Sequence, residues 1–209
     1  FYSCISLESA DLPDGVEEIE NRAFAGARYM TSARIPQSVH SIGESVFSGC
    51  RSLERMDIPG SIKTVPADTL FGCAALKELS IGSGIQTIGR RAFGGCTALE
   101  SVRIPDGVTE LDAMAFMGDS ELVSAYIPES VKIIGAEAFA RCGKLRTISL
   151  PDGIEDIGAA AFSGCAALAE KDGFVMIGDV CCGYIGDGSS ITVPYKASSL
   201  ARGALRENK

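Results

Sequence analysis

Apolar positions along the chain recur in a fixed frame. In "LESVRIPDGVTELDAMAF", from Leu99 to Phe116, the apolar set is Leu99, Val102, Ile104, Val108, Leu111 and Phe116, with polar or small residues between them. The same frame repeats every 23 residues, anchored on Pro13, Pro36, Pro59, Gly82, Pro105, Pro128 and Pro151. One position before each anchor stand Leu12, Ile35, Ile58, Ile81, Ile104, Ile127 and Leu150; six before it stand Leu7, Met30, Leu53, Leu76, Leu99, Leu122 and Leu145. Eleven after it comes an aromatic in most repeats: Phe24, Phe47, Phe93, Phe116, Phe139 and Phe162, with Leu70 in the third and Phe71 one step beyond.

Each repeat predicts the same elements. Val102 and Ile104 face one way and Arg103 the other, the alternation of a short half-buried strand. Proline then stops the ladder, and "PDG" makes a turn because proline presets φ and glycine tolerates positive φ. "VTEL" gives a second short extended stretch, after which a tight or short helical turn drives Phe116 inward. A single repeat cannot bury this apolar set, whereas stacked repeats join their Leu, Ile and Phe positions into a continuous core. The expected fold is a solenoid of mainly short parallel β-strands.

The consensus L-x-x-φ-x-I-P-x-x-V-x-x-I-G-x-x-A-F-x-x-C resembles the BspA-like subclass of leucine-rich repeats, found in bacterial cell-surface proteins and some protozoan ones. The resemblance covers essentially the whole chain. Departures are local: Gly82 for the anchor proline, Glu20, Pro66 and Asp112 for the glycine of the motif, and Leu70 for phenylalanine. The frame predicts one leucine-rich-repeat solenoid domain over 1–209, an excised piece with partial repeats at both ends. Phe1 and Cys4 fall in the Phe and Cys slots of one partial repeat, Leu205 and Asn208 in those of the other. From Pro151 the next anchor, Pro194, lies 43 residues on rather than 23. The inserted stretch, about 169–190, carries "GFVMIGDVCCGYIG", two apolar runs about Gly178-Asp179 that predict a β-hairpin, an insertion also familiar in the family.

Composition narrows the function classes. With 46% hydrophobic residues in 209, the chain has enough apolar side chain for a substantial core. The formal charge of -8 is spread along the chain with no Lys/Arg cluster beside aromatics, which argues against nucleic acid as a partner. No apolar run approaches the roughly 18 residues of a membrane span, and no basic segment followed by an apolar one marks a signal peptide.

The cysteines look like chemistry and are read as architecture. Cys4, Cys50, Cys73, Cys96, Cys142 and Cys165 share the slot fourteen after the anchor, which Ala27, Asp119 and Asn208 fill elsewhere. A solenoid slot lays its side chains in a line with parallel vectors. Zinc needs convergent ligands and a disulfide needs Cβ atoms about 3.8 Å apart, so buried free thiols are expected, with no metal and no cofactor. Cys181 and Cys182 are adjacent in the predicted hairpin and point to opposite faces. His40, the single histidine, shares its slot with Glu17, Lys63, Gln86, Thr109, Lys132 and Glu155 and is expected in solvent. With one imidazole and no nucleotide or G-x-S-x-G motif, no enzyme is expected. Asp106, Glu129 and Asp152, stacked after their anchors, read as turn residues.

Binding candidates lie on the outward positions of the first strand row, which in leucine-rich repeats usually lines the concave face. About eight rows at roughly 4.8 Å give a surface on the order of 35 Å long. Most outward residues are small and polar. Arg103 beside Tyr126 stands out as a pair of interface-enriched types, with Ser101, Ser124 and Ser149 as polar neighbours; Arg34 and Arg55 form a second candidate. Val123 adds an apolar residue near the pair. The resemblance implies a secreted or surface module that adheres to an extracellular protein or glycan; a structural spacer in a larger surface protein is the alternative.

Overall fold

A computed structural model describes residues 3–185, 192–202 and 204. Each repeat makes one turn of a solenoid with three sides. The first side is the strand before the anchor: β1 (Ser9–Asp11), β3 (Ser32–Arg34), β5 (Arg55–Ile58), β7 (Glu78–Ile81), β9 (Ser101–Arg103), β11 (Ser124–Tyr126) and β13 (Thr147–Ile148). The second is the short strand after it: β2 (Glu18–Ile19), β4 (Ser41–Ile42), β6 (Thr64–Val65), β8 (Thr87–Ile88), β10 (Glu110–Leu111), β12 (Ile133–Ile134) and β14 (Asp156–Ile157). Pairing within both rows is parallel and follows the sequence frame, so Val65, Ile88, Leu111, Ile134 and Ile157 stand directly opposite one another along the second row.

Turns make the third side, and of the two expected forms, tight or short helical, they take the tight one. Ser45, Asp68, Arg91, Met114 and Glu137 take φ of 58°, 58°, 52°, 62° and 56° at the same point of successive repeats, and glycines such as Gly72 and Gly95 follow at 74° and 75°. Residues in the left-handed region cannot continue a right-handed helix, so the chain is turned twice and no helix forms. Instead the turns stack and bond as strands do. Phe47 N–H donates to Thr69 O and Phe93 N–H to Ala115 O, both at 2.9 Å, pointing toward the following turn. Along the strand sides bonds also run back, as where His40 N–H donates to Glu17 O at 3.0 Å. Every turn is thus clamped to both neighbours. Among the described residues the only helical segment is a short 3₁₀ turn at Ala166–Leu168.

One apolar core runs the length of the stack. Phe24 and Phe47 stack with centroids 5.3 Å apart; Phe93, Phe116, Phe139 and Phe162 continue at 5.2, 5.2 and 5.5 Å. Leu70 fills the same slot, fully buried, while Phe71 turns outward beneath Arg91, whose guanidinium carbon lies 5.0 Å from the ring centroid. Gly82, the departure from proline, has its own cause. Its N–H donates to Ile58 O at 2.9 Å, a bond proline lacks the hydrogen to make, and a Cβ there would sit 2.2 Å from Gly60 N.

The predicted hairpin is present. β15 (Phe174–Ile177) and β16 (Val180–Tyr184) pair antiparallel across Gly178, which holds φ of 61°. β16 then pairs in parallel with β17 (Ser199–Leu200), the second-row strand of the turn anchored by Pro194. The hairpin thus forms its own sheet with β17, and just beyond β17 the Arg202 N–H donates to Ile157 O of β14 at 3.3 Å. Cys182 packs on the main core and Cys181 on a small cluster with Phe174 and Ala204, opposite faces as expected. Expectations on Phe1, Leu205, Asn208 and positions 186–190 lie outside the described residues.

Candidate functional site

The first strand row positions every candidate. Its residues alternate, Val102 and Ala125 buried toward the core while Arg103 and Tyr126 project from the other face. Parallel in-register pairing sets Ser101 beside Ser124 beside Thr147, and Arg103 beside Tyr126. A difference of 23 in sequence thereby becomes direct contact: the Arg103 guanidinium carbon lies 3.9 Å from the Tyr126 ring centroid, stacked over its face.

Around this pair the face forms an open hollow of about 400 Å³, lined from β9, β11 and β13 and by Ser149 just beyond. Tyr126 is 41% exposed at its wall. Thr147, an outward residue in the same slot as Ser101 and Ser124, joins them and Ser149 there. None of these four hydroxyls makes a hydrogen bond among the described residues, whereas Ser38, Ser61 and Ser130 in the turns bond to Val16 O, Val39 O and Val108 O. Val123 is exposed but lies outside the hollow lining.

Arg34 and Arg55 are not brought to this hollow. Arg34 is held at the start of the stack by Asp14 at 2.8 Å, Asp11 at 3.4 Å and Leu12 O at 2.9 Å; Arg55 meets Glu78 at 3.3 Å. Both are neutralised by carboxylates of adjacent turns. Arg103 forms no ion pair among the described residues, which leaves it the cation of the row without a carboxylate partner.

Of the slot cysteines, Cys50, Cys73, Cys96, Cys142 and Cys165 are buried as expected. Their thiols donate to the carbonyls of Phe24, Phe47, Leu70, Phe116 and Phe139 at 3.1 to 3.5 Å. Burial pushes the Cys50 thiol up to about 11 and the Cys165 thiol up to about 12. Cys4 departs from the expectation and is exposed. His40 is exposed, its Nδ1 3.4 Å from Ser38 O. Glu129 accepts the backbone N–H of Asp152, a turn contact. Among the described residues no group of three or more metal-ligating side chains converges, and no helix is long and apolar enough to cross a membrane.

The profile of the BspA type leucine rich repeat region matches residues 1–123 and 115–206 in 6 copies. The chain belongs to that family. Among solved structures it is similar to a T. pallidum leucine-rich repeat protein, at 30% identity over 78% of each chain with a TM-score of 0.74. It is also similar to a leucine-rich repeat protein from Eubacterium ventriosum, at 26% identity over 76% of this chain and 43% of that one, with a TM-score of 0.69. No curated protein matches. Members of the family are bacterial surface proteins, generally binding or structural and typically non-enzymatic.

Proposed function

We propose that the chain is a single solenoid unit of a secreted or surface protein, which binds an extracellular protein or glycan through its first strand row at Arg103 and Tyr126. One observation carries the reading: the arginine of that row without a carboxylate partner is stacked on an exposed tyrosine in a hollow of unpaired hydroxyls. A guanidinium held flat on a ring keeps its N–H edge free for an incoming acceptor, and the stacked pair is ordered before the partner arrives. Ser101, Ser124 and Ser149 supply further polar contacts, and Arg34 and Arg55, already paired, are secondary.

Screening the protein against extracellular-matrix proteins and a glycan array tests this. For a partner so found, Arg103→Ala and Tyr126→Ala are each expected to weaken binding by about 1 kcal/mol or more, and His40→Ala to leave it unchanged. Normal binding by both patch variants, with loss on substitution in the 174–184 hairpin, would move the site to the hairpin. The alternative, a structural spacer, is favoured by the ion pairing of Arg34 and Arg55 with neighbouring turns, and finding no partner in either screen would select it.

A further inference from the structure

We infer that the ligand of the Arg103 hollow is a carboxylate-bearing sugar, of the uronic or sialic acid type, within an otherwise uncharged glycan. This rests on the strand-row reading above and names its ligand chemistry.

Three features select the class. First, Arg103 offers a charge-assisted fork to a planar carboxylate, and among the described residues nothing within the protein competes for it. Second, the groups nearest it are four unpaired hydroxyls, from Ser101, Ser124, Thr147 and Ser149, and the exposed part of the Tyr126 ring. Hydroxyls that both donate and accept match a polyhydroxylated ligand, and an aromatic surface matches the C–H face of a sugar ring. Third, β11, the strand that carries Tyr126, is hydrogen-bonded on both sides, to β9 and to β13, so it offers no free edge for an extended peptide to join beside the ring.

Charge decides between an acidic sugar and an acidic peptide. The chain carries a formal charge of -8, and on the same row Asp57 projects outward from β5 with no ion-pair partner among the described residues. A run of aspartates or glutamates, or a densely sulfated chain, would be repelled by that field while only one cation received it. A glycan with one carboxylate in several sugar units places its charge on Arg103 and its neutral remainder on the hydroxyls.

The test is direct binding, by calorimetry or ligand-observed NMR, to a sialic acid-terminated oligosaccharide and to a galacturonate oligosaccharide. Beside them run their carboxylate methyl esters and a glutamate-rich peptide. Binding to at least one acidic sugar is expected, at least tenfold weaker for its methyl ester and for Arg103→Ala, and retained in part by Arg103→Lys. Circular dichroism of the variants separates loss of the site from loss of the fold, which substitution of this exposed side chain leaves intact. No binding to either acidic sugar, or equal binding to the methyl esters or to the glutamate-rich peptide, would overturn the inference. If a neutral glycan or a matrix protein binds instead and Arg103→Ala abolishes it, the sugar-acid inference fails and the strand-row reading stands. If Arg103→Ala alters no binding of any kind, both fail.

Discussion

Asp119 Oδ1 accepts the backbone N–H of Cys96 at 2.9 Å, one turn back, in a slot where five other turns place a buried cysteine. Its second oxygen, Oδ2, is buried without a hydrogen-bond partner among the described residues. Burial raises the Asp119 carboxyl well above the ordinary carboxylate value, and the N–H groups of Cys96 and Gly95 offset part of that rise. The titratable groups that face it are the thiols of Cys96 and Cys142.

A pH dependence of stability follows. Above the usual value of 3.8 the unfolded chain loses this proton while the folded chain keeps it, so the folded state binds more protons and stability falls as pH rises. The contribution is complete below 3.8 and gone once pH passes the raised folded value. Urea melts of wild type and Asp119→Asn across pH 4 to 9 should show a decline in the wild type that the variant lacks. Asp119→Cys, restoring the slot's usual thiol, should be more stable than wild type at neutral pH by about 1–3 kcal/mol, the cost of a buried unsatisfied polar group. Parallel pH profiles for wild type and Asp119→Asn would contradict the burial of this carboxyl.

Thiol reactivity should be sharply divided. Cys4 is exposed, while the other seven are buried, and burial pushes even Cys182, in the hairpin, up to about 12. A disulfide-exchange reagent at pH 8 should label one thiol rapidly on the native protein and the remainder only on unfolding. Cys4→Ser should remove the fast phase; a fast phase that survives it would place another thiol at the surface.

Within the Phe ladder, Phe116 stacks on Phe93 and Phe139 at 5.2 Å each and is fully buried. Phe116→Ala should cost about 3–5 kcal/mol. Because each turn contacts mainly its neighbours, faster hydrogen exchange should spread from the turns around Phe93 and Phe139 and fade toward Phe24. Uniform exchange along the chain after the substitution would contradict nearest-neighbour stability.

Gly82→Pro restores the consensus of the repeat and should nonetheless destabilise, by about 3 kcal/mol, the scale of a proline placed where an N–H is used. It removes the bond to Ile58 O and drives atoms into the Gly60 backbone. Gly84→Ala should also destabilise, since its Cβ would meet Gly60 O at 1.8 Å. A Gly82→Pro protein with an unchanged denaturation midpoint would refute this account of the missing proline.

The solenoid, its period, both strand rows, the Phe and Cys ladders and the hairpin were all legible in the 23-residue frame, because each turn repeats the same local pattern and packs mainly on its neighbours. A residue's slot therefore states its burial and its partners, and Arg103 next to Tyr126 follows from a spacing of 23. Tertiary structure decided what the frame leaves open. The turns are non-helical because left-handed residues as varied as Ser45, Arg91 and Met114 are held there by hydrogen bonds to the next turn, which no local propensity announces. Gly82 looks like a lapse from proline until Gly60 is seen against it. Among the arginines of the strand row, sequence alone ranks Arg34, Arg55 and Arg103 by their neighbours in the repeat. Only side chains reaching across turns show that Asp11, Asp14 and Glu78 neutralise the first two and leave Arg103 to its tyrosine. Charge pairing depends on where long side chains end, and that is set by packing rather than by period.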